Sequence, residues 1–333
     1  MSSIELGRLL SEIGEQPTVI ERLLTDQTAA VERVARTIEQ RDPSAIVLVA
    51  RGSSDNAAVY GRYLLEVCNR RLTSLAAPSG LTLYGSGPRL DRTVVIGVSQ
   101  SGQGEDVVEY IREARRQGAP TVAIVNDEGS PLAEAADAVV ACQAGPELSV
   151  PATKTVTAQM TLLALLSCAL DKDRLQELRA VPQAVRRVLD ARSQAADLAR
   201  KLASTTLGSV IGRGFAFPVA LETALKLKET SYTRAEPASA ADFLHGPVAV
   251  VEPGYSALLV DVGGRSTESA AAIATAVGAR GGQTELLRVE GVDERFAPIA
   301  AVVLGQLFAV ELALALGLDP AQPRGLHKVT STR

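Results

Sequence analysis

One repeated pattern restricts this chain of 333 residues more than any other feature. Short, wholly apolar runs stop at small polar residues and then open into helical periodicity. Ile46-Val47-Leu48-Val49 ends at Arg51-Gly52-Ser53-Ser54, and helical spacing follows through Tyr63, Leu64 and Val67. Val94-Val95-Ile96-Gly97-Val98 ends at Ser99-Gln100-Ser101-Gly102, and Val107, Ile111 and Ala114 follow it. Thr121-Val122-Ala123-Ile124-Val125 and Ala138-Val139-Val140 add two more runs. Strands that are apolar on both faces and separated by helices predict a parallel sheet covered on both sides.

The pattern restarts after a helical section at 155–205. Ser209-Val210-Ile211 runs into Gly212-Arg213-Gly214, and Ser256–Val260 and Glu285–Val289 supply later strands. Before the first strand, Ile20, Leu23, Leu24, Ala30, Val31, Val34 and Ile38 recur at helical spacing. The expected class is therefore α/β, in two similar halves with helices on both faces of each sheet, a flavodoxin-like three-layer arrangement. The expected bounds are a helical segment over 1–40, halves over 41–200 and 201–318, and a tail over 319–333.

Composition narrows the function. Hydrophobic residues make up 46% of the chain, enough apolar surface to offset chain entropy. The formal charge is −4, no basic block stands out, and aromatics are 3% with no tryptophan. Nucleic acid is not an expected partner. Cys68, Cys142 and Cys168 are sparse and odd in number, and only His245 and His327 could add imidazole ligands. Neither a disulfide framework nor a metal site is expected, and a reducing cytoplasm fits. Met1-Ser2-Ser3-Ile4-Glu5 opens no signal peptide pattern. The longest apolar stretch, Ala297–Leu318, is interrupted by Pro298, Gln306 and Glu311, which favours a buried helix over a membrane span.

Three clusters carry chemistry. Ser99-Gln100-Ser101-Gly102-Gln103-Gly104 sits where a strand ends and a helix begins, the place where open α/β sheets bind ligands. The serines either cap the helix or frame backbone N–H groups for an anion. Ser53 and Ser54 at the preceding strand end tilt the balance towards a phosphate. Glu222, Lys226 and Glu229 share one helical face. Periodicity alone reads them as an exposed ion-pair stripe. Apolar Leu221, Ala224 and Leu225, and His245 soon after, point instead to proton transfer beside a carbonyl. The tail Gln322-Pro323-Arg324-Gly325-Leu326-His327-Lys328 reads as a frayed end from its residues alone.

At these residues the chain resembles the sugar-isomerase (SIS) family, in particular the isomerase module of glutamine–fructose-6-phosphate aminotransferases and SIS-type glucosamine-6-phosphate deaminases. Glu12 to Pro17 resembles that module's opening "EIxEQP", and Ser99 to Gly102 its "SQSG" loop. Leu221 to Tyr232 resembles its lysine-rich helix, His245-Gly246-Pro247 its "HGP", and Gln322 to Lys328 its closing "QPRNLAK". The resemblance spans nearly the whole chain as two tandem SIS domains. It implies that Ser53, Ser54, Ser99, Gln100 and Ser101 hold a sugar phosphate, and that Val150, Ala152 and Lys154 line the site near the tail. It further implies Glu229 as the base between C1 and C2, His245 as the ring-opening group contributed across a homodimer, and Lys328 as an imine-forming lysine. Glu222 and Lys226 would support the open-chain substrate. No metal or organic cofactor is implied.

Departures bear on the reaction. Met1 lies eleven residues before the module's opening, and no glutaminase cysteine is present, so glutamine-dependent synthesis is not expected of this chain alone. Gly104 stands where the family usually has threonine, Pro151 and Ala152 replace small or hydroxyl residues, and Leu244 replaces a lysine. The expected activity is deamination of glucosamine 6-phosphate to fructose 6-phosphate and ammonia. The alternatives are plain aldose–ketose isomerisation, ammonia-dependent aminosugar-phosphate synthesis, deglycation of a sugar–amine adduct and, with least support, non-catalytic sensing of a sugar phosphate.

Overall fold

The computed structural model describes residues 3–328, which divide into two compact units. One unit comprises residues 18–147, 154–179 and 327–328. Its sheet contains β1 (Ala45–Val49), β2 (Thr73–Leu75), β3 (Thr93–Ser99), β4 (Thr121–Val125) and β5 (Ala138–Ala141), in the order β2-β1-β3-β4-β5. All neighbouring pairs are parallel, with Ile46 beside Val94 and Val95 beside Thr121. Val95, Ile96, Val98 and all five residues of β4 are buried, as a sheet covered on both faces requires. The order reverses direction between β1 and β3, so the crevice at their carboxyl ends is the expected ligand position. The loops Arg51–Ser54 and Ser99–Gly104 occupy those two ends.

The helix Lys154–Asp171 is buried from Lys154 to Cys168 and packs against the helices Ser53–Val67 and Thr28–Arg41. A helix buried on every side explains why its sequence carries no single apolar stripe.

The other unit comprises residues 3–17, 148–153 and 180–326. Its strands are β6 (Thr206–Gly212), β7 (Glu236–Ser239), β8 (Tyr255–Asp261) and β9 (Gln283–Arg288), ordered β7-β6-β8-β9 and all parallel. The apolar stretch noted in the sequence forms the helix Ala297–Ala315. Its length and composition would suit a membrane, yet most of it is buried inside this unit. It packs against the helices Val181–Asp190, Arg192–Leu202 and Phe217–Thr230. Gly305 permits close packing on the helix Phe217–Thr230, since a Cβ there would lie 2.3 Å from Thr223 Oγ1. The helix bearing Glu222, Lys226 and Glu229 is thereby fixed against the unit's core.

Two strands escaped the sequence reading. β2 is only three residues long, too short for a periodic signal. β7 contains Pro237 and exposed Glu236, which an edge strand tolerates because one side of its backbone has no partner.

Candidate active site

In the first unit, the loop after β3 is a tight turn closed by its own side chains. Gly102 N donates to Ser99 Oγ at 3.0 Å, and Gln103 N donates to Ser101 Oγ at 3.3 Å. Gly102 has φ +64, and a Cβ there would fall 2.1 Å from Ser130 Oγ, so glycine is required on both counts. The helix Glu105–Arg116 begins directly after the loop, and its N-terminal N–H groups favour an anion. Ser53 and Ser54 open the helix Ser53–Val67 in the same way after β1. An ion pair joins the two strand ends: Arg51 Nε donates to Asp106 Oδ2 at 2.6 Å. Neither Arg51 nor Asp106 was singled out in the sequence, because their partnership spans 55 residues. Burial raises the Asp55 carboxyl above its ordinary range, and the Arg51 charge partly offsets that shift.

The same unit holds Lys328. The amine of Lys328 donates to Glu147 Oε2 at 2.7 Å. The tail here is therefore ion-paired rather than frayed, contrary to the reading of its residues alone. Lys154 lies in the first turn of the helix Lys154–Asp171 and is buried.

In the second unit, Glu222, Lys226 and Glu229 form one cluster on the helix Phe217–Thr230. The Lys226 amine lies 3.6 Å from Glu222 Oε1 and 2.5 Å from Glu229 Oε2. The side chains of Glu222 and Lys226 are each 2% exposed, whereas that of Glu229 is 21% exposed. The exposed-stripe reading from periodicity is thus overturned: the surrounding apolar residues bury the stripe against the core. Of the two carboxylates, Glu229 alone is open enough to meet a substrate, and Lys226 fixes its orientation.

The tail also meets the turn that follows this helix, within the second unit. Arg324 N donates to the Tyr232 hydroxyl at 3.1 Å, and the Arg324 guanidinium stacks 4.4 Å from the centre of the Tyr232 ring. Val150, Gln322, Pro323 and Leu326 line a cavity of about 330 Å³ in this unit. Ala152 is half-buried nearby in sequence. The first unit contains a larger cavity, about 490 Å³, between Thr28–Arg41 and Lys154–Asp171, but no candidate residue lines it.

The segment carrying Val150 and Ala152 is braced by the motif that opens the chain. Glu12 is buried, and Leu148 N donates to its Oε1 at 2.6 Å while Ser149 N lies 3.3 Å from both its oxygens. Gln16 Nε2 donates to Gln306 Oε1 at 2.9 Å, and Gln306 Nε2 donates in turn to Thr153 O at 3.2 Å. The opening motif thus acts as a structural clamp on residues 148–153. His245 is exposed at the end of the helix Ala240–Leu244, where its backbone N–H donates to Asp242 O.

Comparison with known proteins agrees with this architecture. A glutamine–fructose-6-phosphate aminotransferase (isomerizing) of Thermus thermophilus is 33% identical over 96% of this chain, which spans 58% of that protein's length. A crystal structure of a candidate phosphosugar isomerase from Silicibacter pomeroyi DSS-3 is 34% identical, with a TM-score of 0.85, and covers 94% of this chain and 99% of its own. A glucosamine-6-phosphate deaminase from Thermotoga maritima shares the fold, with a TM-score of 0.78 over 98% of this chain and 100% of its own, at 19% identity. The SIS domain matches residues 40–169 and 209–287, one stretch on each parallel sheet, and the chain belongs to the SIS domain family.

Proposed function

We propose that this protein is an aminosugar-phosphate isomerase and deaminase that converts glucosamine 6-phosphate to fructose 6-phosphate and ammonia. One observation carries the reading: a half-open carboxylate, Glu229, held by a buried lysine that a second buried carboxylate also engages. Such an arrangement fixes a general base without closing it off from substrate.

In this reading the Ser99–Gly104 loop and the serines after β1 hold the phosphate by backbone N–H groups and hydroxyls. His245 opens the sugar ring. Glu229 removes the proton from C2 of the open aldehyde and returns it to C1, while an amine proton passes to O1, leaving an imine at C2 and an alcohol at C1. Water adds to that imine, and ammonia leaves as the ketone forms. Lys328 serves the ketose side: its neutral amine adds to the C2 carbonyl and the adduct loses water to give an imine. His245 is exposed, and exposed apolar Leu244 and Val250 lie on either side of it in sequence, which supports its donation to a second copy in a homodimer. The departures at Gly104, Pro151, Ala152 and Leu244 leave the proton-transfer cluster intact.

A second reading, aldose–ketose isomerisation without nitrogen loss, draws on the 34% identity to a candidate phosphosugar isomerase. The test is to supply purified protein with glucosamine 6-phosphate and measure ammonia, and separately to supply glucose 6-phosphate and measure fructose 6-phosphate. Ammonia release abolished by Glu229→Gln is the expected result. Ketose formation from glucose 6-phosphate alone selects the second reading, and no turnover of either sugar above the Glu229→Gln control refutes both.

A further inference from the structure

Glu147 precedes the helix Lys154–Asp171 in sequence, and its side chain is fully buried. Thr155 fixes it twice: its N–H donates to Oε1 at 3.0 Å and its hydroxyl donates to Oε2 at 2.8 Å. Both donors belong to the first turn of a rigid, buried helix, so the carboxylate is aimed whether or not the tail is present. Lys328 then reaches it from 181 residues away, with its own side chain 21% exposed. Thr155 gives this buried carboxylate two neutral donors, and the Lys328 ammonium brings an opposite charge to it. The carboxylate is the fixed member of the pair and the lysine the movable one.

We propose that Glu147 is a positioning residue for Lys328: it docks the tail through this ion pair in the sugar-free protein and sets where the amine stands when a keto sugar enters. The inference rests on the reading above, in which Lys328 forms the imine. An ammonium held by a carboxylate has no lone pair to attack a carbonyl. The pair therefore keeps the lysine near its place of action but unreactive until the ammonium gives up a proton, for which the Glu147 carboxylate is a base in contact.

Pulse acetylation with acetic anhydride at fixed pH, quantified for each lysine by mass spectrometry, tests the docking without any sugar. In the wild type, Lys328 is expected to label more slowly than exposed Lys172, while buried Lys226 stays protected. In Glu147→Gln the Lys328 rate is expected to rise at least about tenfold, because a buried pair has lost its charged partner, with Lys226 still protected. Lys328 labelling as fast as Lys172 in the wild type, or an unchanged rate in the variant, overturns the proposal. If Glu147→Gln fails to fold, Glu147→Asp keeps the charge but shortens the reach; a smaller rise supports the docking, and no rise refutes it. Borohydride trapping of fructose 6-phosphate on Lys328 then tests the role. Lower trapping and kcat in the variant, at nearly unchanged KM, are expected, and equal trapping overturns the positioning role. Absence of turnover and trapping in the wild type removes the imine reading and the role drawn from it, while acetylation still decides the docking.

Discussion

Replacing Lys226 with methionine tests the cluster on which the function rests. Methionine keeps most of the side chain's apolar length and removes only the charge. The variant leaves two carboxylates beside an apolar group, and they do not suffer equally. Glu229 is partly exposed and can turn to water, whereas Glu222, at 2% exposure, cannot. At 3.6 Å and an effective dielectric constant near 20, the lost attraction between Glu222 and Lys226 is about 4–5 kcal/mol. Mutational experience with broken buried pairs gives about 3–5 kcal/mol. We expect a loss of about 3 kcal/mol after relaxation, which lowers Tm by about 6–12 °C for a unit of this size. Differential scanning calorimetry at neutral pH measures it. Adding Glu222→Gln to Lys226→Met removes the buried charge that lost its lysine and should recover about half the loss. A single variant within about 1 kcal/mol of wild type, or a double variant no better than the single, refutes the claim that Lys226 compensates a buried Glu222.

Three further outcomes follow from the same geometry. Gly102→Ala forces a side chain onto φ +64 and against Ser130, so it should cost about 2 kcal/mol or more and abolish thermal stabilisation by added sugar phosphate, both readable by melting curves. Glu12→Ala strips the charged acceptor from Leu148 and Ser149 N–H, at about 2–4 kcal/mol, and should speed amide exchange in the peptide spanning 148–153. Burial, and secondarily the neighbouring Glu147 charge, pushes the Cys142 thiol far up. Iodoacetamide at pH 8 should therefore label half-buried Cys68 well before Cys142 in the native protein, and reversed labelling contradicts the burial.

Much of the site was legible where its signal is local. The Ser99–Gly102 turn combines glycine, short hydroxyls and a strand-to-helix junction within a few residues, so the features proposed to hold an anion are written in one segment. The Glu222–Lys226–Glu229 face was equally visible, but its burial was not. Helical spacing gives which side chains share a face, not what that face meets, and only the packing of Phe217–Thr230 against Ala297–Ala315 turned an ordinary ion-pair stripe into a desolvated cluster. Arg51 with Asp106, Glu12 with Ser149 and Glu147 with Lys328 left no sequence signal, because the partners lie 55, 137 and 181 residues apart.

The sequence alone determined the parallel sheets, since continuous apolar strands between helices have no other way to bury both faces. It also determined which residues meet at the strand ends, since short hydroxyls and glycine stand together where an apolar run gives way to helical spacing. The tertiary structure decided which charges are buried and with whom: Glu147 before Thr155 and Lys328, and Lys226 between two carboxylates. The reason is physical. Local conformation depends on neighbours within a few residues, whereas the cost of burying a charge depends on the dielectric surroundings and the counter-ion, and both are supplied by remote parts of the chain.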